Sequence, residues 1–202
     1  MLKLPLDERG YPVPKFVAWV DGKPDFRVVD ARWMTTCIQR KVCWLCGEPL
    51  GANMAFVIGP MCCVNRVSSE PPSHYDCAEF SVKACPFLTQ PNRRRDRYNE
   101  LPDGHEAPAG MMIQRNPGVS LIWVTRSYKI QRHNGGVLFQ IGDPTYLAWW
   151  ARGRAATHEE IMYSINTGLP ELRAVAERES LAAMEALEKQ IKRGLSLVSQ
   201  GQ

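Results

Sequence analysis

Cys43-Trp44-Leu45-Cys46-Gly47-Glu48-Pro49, then Ala55-Phe56-Val57-Ile58-Gly59, then Pro71-Pro72-Ser73-His74-Tyr75-Asp76-Cys77-Ala78 carry a pattern from which the rest of the chain can be read. Six of the seven cysteines and one of the four histidines fall between Cys43 and Cys85. A Cys-x2-Cys pair followed at a distance by a His-x2-Cys pair is metal-ligand spacing, and zinc is the usual occupant. The dipeptide between Cys43 and Cys46 turns the two thiolates toward one point, and Gly47 is free to take a positive φ just beyond them. His74 and Cys77 stand three apart, so on the first turn of a helix they share a face. Ser73 is the expected N-cap of that helix, and Pro71-Pro72 bar helix before it. The helix is expected to run to about Cys85 and end before Pro86, while Ala55 to Gly59 fits the return strand of a small hairpin.

A knuckle, a hairpin and a ligand pair at a helix start resemble a treble-clef zinc finger. The resemblance covers about a fifth of the chain and implies one zinc held by Cys43, Cys46, His74 and Cys77. As a metal motif it is specific; it implies no particular activity. Buried free thiols packing as small hydrophobes are the bland alternative, and paired spacings of this kind are hard to obtain by chance. Cys62, Cys63 and Cys85 are alternative metal or reactive residues, any of which could displace His74. An iron–sulfur cluster has enough thiols, but the spacing does not follow the ferredoxin runs. An odd cysteine count and the lack of a secretory signal speak against disulfides. The string Gly59-Pro60-Met61-Cys62, Asn65-Arg66, Glu70-Pro71-Pro72-Ser73-His74, Cys77-Ala78, Cys85-Pro86-Phe87 is also similar to uncharacterised bacterial and phage proteins, which implies a source and no mechanism.

With 202 residues, 45% of them hydrophobic and 23% charged, the chain can bury a real core. It shows no apolar run of membrane-spanning length and no signal-peptide core, so a cytoplasmic protein with reduced thiols is expected. A net charge of +4 permits nucleic-acid binding without arguing for it.

Around the ligand module, Lys15–Val20 and Phe26–Val29 are strand-like, joined by a five-residue connection through Asp21-Gly22 and Pro24. Asp30 can cap a helix from Ala31 to Lys41. The stretch 86–117 is rich in proline and glycine without a sustained period, and reads as a loop. It contains Arg93, Arg94, Arg95, Arg97 and Tyr98, a candidate nucleic-acid patch in which arginines meet phosphates and the tyrosine stacks on a base. The alternative is a solvated face. Val119–Arg132 is the strongest strand signal and turns at Asn134-Gly135-Gly136 into Val137–Ile141. Asp143-Pro144 is expected to open a short helix with Tyr146, Leu147, Trp149 and Trp150. Thr157-His158-Glu159-Glu160 is a capping box for a helix ending near Asn166, and Pro170 begins a longer one to about Arg193.

These readings give an α+β fold: a zinc-binding lobe over 1–90, a loop-rich connector over 91–117, and a β-hairpin and helical lobe over 118–202. The sequence has no P-loop, dinucleotide fingerprint, nucleophile elbow, zincin or deaminase signature. An HNH-type nuclease would need a histidine base, yet His74 is used as a ligand and no other histidine lies between Cys46 and it. The expected function is therefore a non-enzymatic zinc protein binding a macromolecule, nucleic acid first. A phage or bacterial protein-interaction or inhibitor factor is the alternative. A third reading is an enzyme using a reactive cysteine of the Cys62-Cys63 loop, for which no partner base is identifiable by spacing.

Overall fold

The structure, a computed structural model, describes residues 3–90, 116–133 and 136–198. It is a mixed α+β arrangement with several antiparallel sheets and two long C-terminal helices. Strand β5 (Ser120–Thr125) lies at its centre, between β3 (Met54–Ile58) and β8 (Pro144–Ala151), with the short β9 (Arg154–Ala155) beyond β8. Every residue of β5 is buried because both faces of this sheet are covered. Leu121 and Trp123 point into the main core, with Phe56, Ile58, Leu147 and Trp149. Ile122 and Val124 point the other way, toward Ala55, Ala78 and Val82. The period of two thus feeds two cores from one strand.

The main core is closed by α2 (Pro60–Asn65), α5 (His158–Glu179) and α6 (Leu181–Val198). The opposite face carries α3 (Tyr75–Ala84), followed by the single turn α4 (Pro86–Thr89). Two smaller sheets flank this sandwich: β1 (Val17–Val20) with β2 (Lys23–Val29), and β4 (Val67–Ser68) with β7 (Gly136–Ile141) and β6 (Tyr128–His133). Helix α1 (Ala31–Arg40) follows β2, with the Asp30 side chain accepting the Arg32 N–H as its cap. Strand β3, within 1–90, pairs along its whole length with β5, within 118–202.

Several expectations are corrected. The segment 144–151 is a strand and not a helix: Leu147, Trp149 and Ala151 face the core while Ala148 and Trp150 face the other side. Pro144 opens it, where a missing N–H costs no interior ladder bond. The run 119–132 is two strands of two different sheets, parted at Arg126-Ser127. There the buried Thr125 hydroxyl donates to Asp143 O at 2.8 Å and accepts the Ser127 N–H at 3.3 Å. A Cβ on Gly142 would run into the Ser127 hydroxyl and carbonyl, so only glycine lets the chain cross here.

Helix α5 does not stop at Gly168 or restart at Pro170. Ile161, Ser164, Ile165, Gly168, Leu169 and Ala176 are all buried on one stripe of period 3.6, which carries the helix through the proline. The break falls instead at Ser180, whose extended backbone and side chain, accepting the Ala183 N–H, separate α5 from α6. The β1–β2 connection is the two-residue turn Asp21-Gly22, both at positive φ, and Pro24 sits inside β2 opposite Trp19. Ser73 does not cap α3; His74 occupies the N-cap position. Among the described residues no helix is long and apolar enough to cross a membrane.

Candidate metal centre

The first two candidate ligands sit in a tight knuckle. Cys43 N–H donates to Glu48 O at 2.8 Å, Gly47 N–H to Cys43 O at 3.0 Å, and Leu50 N–H to Lys41 O at 2.9 Å. Gly47 has φ +82°, and a Cβ there would also lie 3.1 Å from the Trp33 ring, so conformation and packing both demand glycine. Trp33 donates its Nε1–H to Trp44 O at 3.0 Å, and Phe16 stacks on Trp44 with ring centroids 4.9 Å apart. The knuckle is therefore clamped from outside by α1 and the first hairpin.

The second pair is delivered by a strand contact. Ala55 and Ser73 exchange both backbone hydrogen bonds, at 2.8 and 2.7 Å, and Trp44 N–H donates to Pro72 O at 3.1 Å. These bonds fix the residue before His74 against β3 and the knuckle together. The first helical turn closes with Ala78 N–H on His74 O at 3.0 Å, which places Cys77 on the same face as His74. The hairpin expected within this module does not form, because β3 takes β5 as its partner.

The four side chains converge. Their ligand atoms all lie within 4.8 Å of one another, and this is the only such group among the described residues. Cys46 Sγ is 3.4 Å and Cys77 Sγ 3.9 Å from His74 Nδ1. A zinc tetrahedron with Zn–S near 2.3 Å and Zn–N near 2.0 Å has S···N edges of about 3.5 Å, so these separations are already those of a ligand set. His74 Nε2 stands 2.9 Å from Pro49 O. A carbonyl only accepts, so Nε2 carries the proton and Nδ1 turns its lone pair toward the sulfurs, the usual outer support of a metal-binding histidine. Cys43 is fully buried and Cys77 nearly so; Cys46 and His74 are partly buried.

The electrostatics suit a cation. A hydrogen bond from the Cys77 thiol, opposed by burial and reinforced by the N–H groups of Cys46, His74 and Leu45, brings Cys43 down to about 4. The same hydrogen bond to Cys43, with burial, pushes Cys77 up. Burial, with the Cys43 charge beside it, raises Cys46. Three thiols at one point thus yield one proton readily and resist losing the others. A divalent cation would reverse that resistance, since thiolates are its ligands. The four residues form a Cys3His cluster suitable for a metal such as zinc.

The remaining candidates stand elsewhere. Cys62 and Cys63 lie on α2, packed on or within the main core, and Cys85 sits between α3 and α4; none belongs to the cluster. Burial pushes the Cys63 thiol up to about 12, so it is neutral near pH 7. Arg93, Arg94, Arg95, Arg97 and Tyr98 lie outside the described residues. Ligand spacing gave no sign of the Pro49 carbonyl, of the Trp33–Trp44–Phe16 clamp or of the Ala55–Ser73 pair, because each is a contact of high sequence separation. Comparison of the chain with protein-family models, with curated proteins and with solved structures finds no match.

Proposed function

We propose that this chain is a non-enzymatic zinc protein in which Cys43, Cys46, His74 and Cys77 hold one structural zinc, and that it binds a macromolecule, nucleic acid foremost. The observation that carries the metal reading is the convergence of four ligand atoms within 4.8 Å, two of the sulfurs being buried. Four protein ligands close a tetrahedral shell, whereas catalytic zinc keeps a position for water or substrate. The treble-clef reading is supported by the knuckle and by the ligand pair at a helix start, while the β3–β5 pair of the four-stranded sheet stands in place of its hairpin. A reducing compartment such as the cytoplasm suits a site that needs free thiolates. The nucleic-acid reading is supported by the arginine run 93–97 with Tyr98, and the net charge of +4 permits it.

Metal content of protein purified without chelator tests the site. About one zinc per chain is expected, lost in Cys43→Ser and in His74→Ala. Iron with sulfide, or no metal, overturns the assignment. For the partner, the expected result is loss of retention on a nucleic-acid column after charge reversal of Arg93, Arg94, Arg95 and Arg97. Retention unchanged by that reversal removes the patch from the interface.

A further inference from the structure

Between Glu106 and Asp143 the chain contains no acidic residue, yet it carries Arg115, Arg126, Lys129 and Arg132. Arg126 precedes β6, and Lys129 and Arg132 stand on it. The strand lies at the edge of its sheet, and residues 129–133 are all exposed. Strand β4 pairs with β7 only at Gln140 and Phe139. The outer halves of β6 and β7 therefore have only each other as strand neighbours among the described residues. They form a two-stranded ribbon.

The pairing sorts the ribbon's side chains. Lys129, Gln131 and His133 lie opposite Gln140, Leu138 and Gly136 on one face, where Gln131 Nε2 donates to Gln140 Oε1 at 3.1 Å. Arg132, opposite Val137, is on the other face beside Ile130, which is 44% exposed; farther along, Phe139 and Ile141 seat this face on the main core, so the first face is the open one. Among the described residues no carboxylate pairs with Arg126, Lys129 or Arg132, whereas Arg66, Arg154, Arg173 and Arg193 each have one.

We propose that the β6–β7 ribbon is inserted into the major groove of duplex DNA. A two-stranded antiparallel ribbon fits the groove of B-DNA, about 12 Å wide, and the outer residues 130–133 reach about 13 Å along it. Lysine, arginine and glutamine are the side chains that hydrogen-bond base edges there. Exposed cations on the ribbon, with no carboxylate paired to them among the described residues, suit the phosphates on the groove walls. The inference rests on the nucleic-acid reading above and adds the contacting element and the form of the partner. Lysine on an edge strand also blocks pairing with other sheets, and the test separates that role from binding.

The test measures fluorescence anisotropy of labelled duplex DNA, single-stranded DNA and duplex RNA of equal length with the full zinc-loaded chain, at several salt concentrations. Lys129→Gln with Arg132→Gln keeps the edge polar. It is expected to weaken duplex-DNA binding about tenfold or more and to lower the salt slope by about 2, with zinc content and circular dichroism unchanged. Lys129→Gln alone should lower the slope by about 1. Duplex affinity and slope unchanged in the double variant overturn the ribbon; the nucleic-acid reading then survives if charge reversal at Arg93, Arg94, Arg95 and Arg97 abolishes binding. Preference for single-stranded DNA, or equal binding to duplex RNA, whose deep major groove excludes a ribbon, also overturns it. A chain that binds none of the three overturns both readings.

Discussion

Glu160 joins a helix cap to an ion pair. Its carboxylate accepts the Thr157 N–H at 2.9 Å, closing the capping box, and takes a two-pronged ion pair from Arg154 at 2.8 and 2.9 Å. The Arg154 hydrogen bonds foremost, then the Thr157 backbone, lower it from an ordinary 4.5 to about 2. A carboxylate depressed in the folded state stabilises above its unfolded value and loses that contribution as pH falls through the folded one. Arg154 is half exposed, which discounts the contribution to about 1 kcal/mol. Urea denaturation of wild type and Glu160→Gln should therefore differ by about 1 kcal/mol above pH 4.5, the difference vanishing toward pH 2. A difference constant across that window would show that the effect is not one of charge.

At the scale of the element, two glycines decide how α2 is seated. A Cβ on Gly168 of α5 would lie 2.9 Å from Met61 Sδ, and one on Gly194 of α6 would lie 3.2 Å from Val64 Cα. The obstacle at Gly168 is the flexible end of a side chain; at Gly194 it includes backbone, which cannot swing aside. Gly194→Leu is expected to destabilise the chain by about 2 kcal/mol, beyond the gain in helix propensity, as read by urea denaturation. Unchanged stability would mean that α2 is loosely held. These contacts also mark where sequence reading stops. The Cys3His cluster, α1 and the Thr157 cap were legible because their signals are local: fixed spacing and a capping side chain. Strand β8 was misread because Asp143-Pro144 imitates a helix start, although Leu147, Trp149 and Ala151 alternate with period two. The continuity of α5 was hidden by Gly168 and Pro170, while the stripe from Ile161 to Ala176 runs through both. The pairing of β3 with β5 joins residues more than sixty positions apart, and nothing in either strand names its partner.

For the whole molecule, the Cys3His cluster and the main core are held by different means. Around the ligands lie two small clusters, Cys37, Val42 and Trp44 with Phe16 and Trp33, and Cys43, Leu45 and Cys77 with Leu50. The main core instead gathers Phe56, Trp123, Phe139, Trp149, Ile161, Leu169, Leu187 and Ile191 across two sheets and three helices. Small clusters offset less of the entropy of ordering than a large core does, so a metal held by the four residues would add stability there. Strong chelation is accordingly expected to act unevenly. Amide exchange should lose protection over residues 15–50 and in the first turn of α3, while α5, α6 and β5 keep theirs. Fluorescence should report the same event through Trp33 and Trp44, which clamp the knuckle and would become more exposed to water. Uniform loss of protection across the chain would show that the metal centre and the core unfold as one unit. Unaltered protection would show that the thiols and His74 hold the knuckle without metal, and would leave the cluster no structural need for zinc.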